Sequence, residues 1–332
     1  MKFTLMFALC IFASTLPGSP QRFVAIGLGT DILYSDNVSD WKHASVPIFS
    51  EYSTEHSLLD LASGNGRFVA VGGDFEKGRI VFSADGETWQ NLPPRPKRVS
   101  SIAFGNGRFV AIEGNRFIIS EDGEHWETGA RLPDHLKLTP LKLAFGNNTF
   151  VLIGTHEWSE TGYLDNGFKA TTTNGEKIDS FATQQKHARD IIFRENHFLT
   201  VGRRELCERS MDGKQWQLLS FNPYGNDFRA VIDDGLHLIA EGGAAPFIST
   251  DGSVWKRLSI DREKIRVAPR AAPRILWSDG EKSIAAAWES LFLSEDPARQ
   301  SWRNIPEIGA SIPKDPETGK GTSFHTIAIL SK

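Results

Sequence analysis

The chain is poor in sulfur: its 332 residues include 2 cysteines and 3 methionines. Cys10 lies in an apolar leader, so a processed chain keeps only Cys207 and no internal disulfide can form. Cys207 falls in a strand pattern without a nucleophile's setting and reads as a buried structural thiol. The 9 histidines are scattered, and His156 has no ligand partner at a usable spacing. No metal site is expected, and no other cofactor. Neither sign of charge dominates. With 37 basic and 41 acidic residues the net charge is −4, which gives no global field for nucleic acid or an anionic membrane. Any anion site must therefore be local. No apolar run reaches the ~20 residues of a transmembrane helix, and no segment reads as helix for more than a turn or two.

Residues 1–20 read as a secretory signal. Lys2 supplies the positive start, Phe3 to Leu16 the apolar run, and Ala13, Ser14, Gly18 and Ser19 the small residues of a cleavage region crowded by Pro17 and Pro20. Cys10 follows Phe7-Ala8-Leu9, where a lipobox needs a small residue before the cysteine, so lipid anchoring is not expected. Export without disulfides suits a bacterial periplasm or the exterior.

What the chain has in abundance is one word. Ser83-Ala84-Asp85-Gly86-Glu87-Thr88-Trp89 recurs as Ser120 to Trp126, Ser210 to Trp216 and Ser249 to Trp255, with degraded copies at Ser35 to Trp41, Thr172 to Ile178 and Ser294 to Trp302. Length alone suggests two domains, but an internal repeat overrides that prior. Each full copy has four short apolar stretches. In the third these are Ser100 to Phe104, Phe109 to Ile112, Phe117 to Ser120, and a fourth beginning at Trp126, with Gly105-Asn106-Gly107 and Asp122-Gly123 as hairpin turns. The strands are almost continuously apolar, so both sheet faces are buried. Four-stranded antiparallel sheets stacked around an axis satisfy that pattern, and the expected fold is an all-β, seven-bladed β-propeller over residues 21–332. Within the word, Asp-Gly closes a turn, the carboxylate accepts local N–H groups, and Trp packs between sheets. These are structural roles.

This word resembles the Asp-box of the sialidase-type, or BNR-repeat, propellers, whose motif reads Ser-x-Asp-x-Gly-x-Thr-Trp; here Gly86 follows Asp85 directly, one residue shorter. The segment Gly66 to Gly72 is similar to repeats in exported BNR-like proteins and, more remotely, in photosystem II assembly propellers. The resemblance spans the mature chain. It implies a propeller, and it leaves enzyme, binding module and assembly factor open.

In chain order, blade 1 begins at its second strand, Arg22 to Gly27, and Phe324 to Leu330 matches the missing first strand. The C-terminus should therefore complete blade 1, closing the ring and removing an open edge. Blade 2 runs from Leu58 to Leu92, blade 3 from Ser100 to Leu132, blade 4 from Leu141 to Phe181, blade 5 from Arg189 to Phe221, blade 6 from Arg229 to Ile260 and blade 7 from Arg274 to Ile305. Blade 4 carries a long connection, Thr155 to Thr171, between its second and third strands.

Ligands of propellers meet the channel mouth on the face opposite the repeated turns. At one level of the first strands stand Arg189, Arg229, Arg274 and His325, against Leu59, Ser100 and Leu141 in the remaining blades. Clustered guanidinium groups suit a carboxylate, sulfate or phosphate. Alternatively, these arginines pair with the local acids Asp190, Asp233, Asp234 and Asp279. The blade 4 connection offers His156, Trp158, Glu160 and Tyr163, suited to sugar stacking and acid–base work or to packing on their own scaffold. Arg203 and Arg204 stand beside it in blade 5. Sialidases also gather three arginines around a substrate carboxylate, but their Phe-Arg-Ile-Pro-like segment and Tyr–Glu pair have no counterpart here. The leading expectation is a secreted, monomeric, non-catalytic module that binds an anionic glycan or protein surface at the mouth. A glycoside hydrolase or polysaccharide lyase, and an assembly factor, are the alternatives.

Overall fold

The computed structural model describes residues 21–27, 32–46, 57–74, 76–156, 166–203, 206–219, 227–234, 236–242, 245–257, 274–278, 281–287, 290–296, 303–304 and 324–331. Residues 1–20, expected to be a secretory signal, lie outside them. The protein is an all-β propeller of four-stranded antiparallel blades. Six blades are each built from four consecutive strands. In blade 2 these are Leu58–Gly64, Arg67–Gly73, Gly78–Ser83 and Gln90–Asn91, and in blade 3 Val99–Gly105, Arg108–Glu113, Arg116–Ser120 and Glu127–Arg131. A further four-stranded sheet joins the two ends of the chain, in the order Phe324–Ser331, Gln21–Gly27, Ile32–Ser35, Lys42–His43. Gln21 lies opposite Ser331 and Gly27 opposite Phe324. The first strands of successive sheets adjoin, and Phe324–Ser331 lies beside both Arg274–Ser278 and Leu58–Gly64.

The second strands are the most deeply buried because apolar residues occupy both faces. Phe68, Val69, Ala70 and Val71 are fully buried, as are Phe109 to Ile112. Alternate residues serve alternate interfaces. Val69 and Val71 pack with Ile102, Phe109 and Ile118 of blade 3, while Phe68 and Ala70 pack with Val24 and Ile26. The fourth strands are often only two residues long and exposed.

Blade 4 corrects one boundary. Its second strand continues to His156 and its third begins at Gly167. Gly167 to Thr171 are therefore strand, and the connection is shorter than the sequence suggested.

The repeated turns fold alike. In blade 2, the Ser83 hydroxyl accepts from Gly86 N at 2.8 Å, and Asp85 Oδ1 accepts from Glu87 N and Thr88 N, each at 2.8 Å. Trp89 donates its indole N–H to Gly86 O at 3.0 Å. The same pattern holds at Asp122, Asp212 and Asp251. Gly86 has φ +74°, and a Cβ there would come within 2.7 Å of Val24, so the turn needs glycine for both conformation and space. On this same face, Asn65 donates to Gly107 O and Glu121 O of the next blade, at 2.9 and 2.8 Å. Asn106 and Asn147 repeat that bridge one and two blades on.

Candidate functional site at the channel mouth

The connections between blades, and those between second and third strands, emerge on the face opposite these turns. Near that face every first strand breaks register by one residue. The residue left out of the pairing is Leu59, Ser100, Leu141, Arg189, Arg229, Leu276 or His325. A bulge turns its extra residue out of the alternation, and here it sets a row of residues around the axis. The basic arc expected from the sequence is therefore broken. Arg274 pairs in register with Ala286, two residues before the bulge, and Leu276 takes the row position in blade 7. Alternation counted along the strand misses the bulge, which shifts the register.

The next residue inward forms a polar layer that sequence reasoning missed. Asp60 is almost fully buried, and its carboxylate accepts from Leu61 N, Ser101 Oγ, Ile102 N and Lys142 Nζ, at 3.0, 2.6, 3.0 and 2.9 Å. Ser101 Oγ in turn accepts from Leu143 N at 3.0 Å, and Asp190 accepts from Val231 N at 2.9 Å. Apart from the Leu61 amide, which lies in the same strand, each contact ties one blade to the next, and Lys142 reaches back two blades. The available signal was a polar residue at one recurring position of the largely apolar first strands, Asp60, Ser101, Lys142 and Asp190.

The blade 5–6 seam brings together two of the predicted arginines. Arg189 Nη2 and Arg203 Nε each approach Asp227 Oδ2 at 3.4 Å. Their side chains are 27% and 31% exposed and that of Asp227 is 41%, so the two guanidinium groups and the carboxylate are partly open to solvent. Arg229, two residues after Asp227 and exposed, makes no ion pair among the described residues. The acids named as alternative partners of the arc have these contacts among the described residues. Asp190 bonds backbone amides, Asp233 faces Arg194 at 3.4 Å, and Asp234 accepts from Leu236 N and His237 N in its own turn. Asp279 lies outside the described residues, as do Trp158, Glu160, Tyr163 and Arg204. His156 ends its strand opposite Leu138, with Nε2 buried and without a hydrogen-bond partner among the described residues.

A second basic group on this face was also missed. The connection from blade 2 to blade 3, Pro93-Pro94-Arg95-Pro96-Lys97-Arg98, borders Arg79 and Arg116. Arg95 grips Glu113 through Nε and Nη2, at 2.9 and 3.2 Å. Burial pushes the Arg79 guanidinium down to about 10 and lowers that of Arg98, with Asp74 acting in the opposite direction on Arg98. Cys207 is buried, and burial pushes its thiol up to about 12, which leaves it unreactive. No group of three potential metal ligands occurs among the described residues. Among them, no helix is long and apolar enough to cross a membrane.

No family model and no curated protein matches the chain. Solved structures of similar shape exist at low identity. YCF48 bound to a D1 peptide is 15% identical, with a TM-score of 0.55 over 95% of this chain and 97% of that one. YCF48 from Cyanidioschyzon merolae is 15% identical, with a TM-score of 0.58 over 86% and 97%. A chain of a nidogen/laminin complex is 12% identical, with a TM-score of 0.51 over 94% and 99%. These likenesses establish the fold and leave the sialidase type undecided.

Proposed function

We propose that the chain is an exported, monomeric binding module that takes an anionic protein segment at its mouth, without catalysis. Residues 21–332 form one domain in this reading. The composite sheet serves as blade 1 of seven, and the C-terminal strand closes the ring. The pairing of Gln21–Gly27 with Phe324–Ser331 and the position of the latter between two neighbouring first strands support closure. One observation carries the functional reading: exposed Arg229 stands without an ion pair among the described residues, two residues after the aspartate that two further arginines approach. Guanidinium forks favour carboxylates.

A protein partner is favoured over an acidic glycan because one structure of similar shape holds a peptide. An assembly role fits the same surface. The described carboxylates near the mouth are already engaged: Asp60 and Asp190 tie blades together, Glu113 holds Arg95, and Asp227 faces two arginines. This favours binding over hydrolysis. The test is calorimetric titration of the full chain with a capped hexaglutamate peptide at low salt. Arg229→Ala is expected to weaken binding roughly tenfold. Equal affinity in wild type and variant would sink the site.

A further inference from the structure

We infer that Asp227 is the built-in occupant of a carboxylate subsite formed by Arg189 and Arg203, and that an acidic peptide binds by displacing it. This rests on the binding reading above. Two guanidinium groups from separate elements of blade 5, the first strand and the turn after the second, converge on the single oxygen Asp227 Oδ2. Asp227 belongs to neither element. It comes from the connection that leads into the first strand of blade 6, immediately before Phe228. The carboxylate is thus brought to the arginines from the neighbouring blade.

Both contacts are 3.4 Å, longer than the 2.7–2.9 Å of a good charge-assisted hydrogen bond. Arg189, Arg203 and Asp227 are half-buried, and at that distance the pairing is weaker than a close charge-assisted bond, so a carboxylate with better geometry competes for it. The layer beneath is different in kind, with Asp190 buried and bonded to Ile191 N and Val231 N at 2.9 Å each. Blades 5 and 6 therefore stay latched through Asp190 when the Asp227 contact opens. Arg229 lies two residues beyond Asp227, so an incoming acidic chain that takes the Asp227 position meets a third guanidinium group. Displacement exchanges one carboxylate for another of the same charge, and its net gain comes from Arg229.

The experiment uses the full chain, a capped hexaglutamate peptide and a capped hexaglutamine control, at one fixed ionic strength. Asp227→Asn keeps the side-chain size and removes the competing charge. It is expected to tighten hexaglutamate binding about fivefold and to leave hexaglutamine unbound. In the Arg189→Ala/Arg203→Ala background, Asp227→Asn should change nothing. Unchanged or weaker binding by Asp227→Asn, with Arg229→Ala still defective, overturns the displacement and leaves the binding site standing. Absence of hexaglutamate binding by wild type and Asp227→Asn overturns both. Binding of an oligogalacturonate in place of the peptide overturns the peptide partner.

Discussion

Lys142 Nζ lies 2.9 Å from Asp60 Oδ1, across two blades and 82 residues, and both side chains are essentially inaccessible. A buried ion pair contributes little net stability against apolar replacement, but one member without the other leaves an uncompensated charge. Lys142→Ala should therefore cost about 3–5 kcal/mol in urea unfolding. Asp60 also receives Ser101 and two backbone amides, so Asp60→Ala should cost at least as much. A loss under about 1 kcal/mol for Lys142→Ala would contradict the role of this layer.

A second ion pair gives a sharper comparison. Lys169 pairs with Glu208 across the blade 4–5 interface, its ammonium 3.8 Å from the Trp216 ring centroid. Counting back from the turn Ser or Thr, the corresponding positions between blades 2 and 3 are Ile80 and Ile118, packed in one apolar cluster. Burial pushes the Lys169 ammonium down, and Glu208 offsets this in part. Lys169→Ile alone should destabilise by about 3 kcal/mol, and Lys169→Ile/Glu208→Val should recover most of it. Additive losses in the double-mutant cycle would show that the interface does not accept the apolar solution.

The repeated turns set the acid limit. At Asp85, burial works to raise the pKa, but the amides of Thr88 and Glu87 outweigh it and the carboxylate ends below its ordinary value. Asp212 behaves alike, and at Asp122 burial works in the raising direction while the His125 side chain, ahead of the His125 and Glu124 amides, brings the carboxylate down. At Asp251 the Ser253 amide is the largest influence and acts in the lowering direction. With the folded pKa below the unfolded one, the unfolded state takes up protons first as pH falls. The stabilisation is complete above about pH 4 and is lost as pH drops below it. Asparagine already fills this position in two copies, where Asn37 Oδ1 accepts from Ser39 N and Asp40 N, and Asn174 Oδ1 from Glu176 N. Asp212→Asn should thus cost about 1 kcal/mol or less at pH 7 and flatten the stability profile between pH 4 and 2. An unchanged acid slope would contradict this assignment.

Removal of residues 324–332 strips the strand paired with Gln21–Gly27 and opens an edge. The melting temperature should fall by ~10 °C or more. A melt matching the parent would contradict closure by the C-terminal strand.

The four-stranded antiparallel blades were legible because each turn is made by adjacent residues, so Ser83, Asp85, Gly86 and Trp89 announce themselves in one word. The mouth was half legible. The row of Leu59, Ser100, Leu141, Arg189, Arg229 and His325 is visible by counting, yet blade 7 slipped because strand alternation says nothing about where a bulge falls. The partner of Arg189 came from a connecting segment rather than from the acids on the strands. The Asp60–Ser101–Lys142 layer was hidden because three different residue types occupy one structural level, and their bonds join residues 41 to 82 apart.

Hydrogen–deuterium exchange of the full chain, with and without saturating hexaglutamate, tests most directly where the ligand binds. Protection is expected in peptides covering residues 188–190, 202–203 and 227–230, with the turns at 84–88 and 211–215 unchanged. Protection confined to those turns would place the ligand on the opposite face and contradict the account.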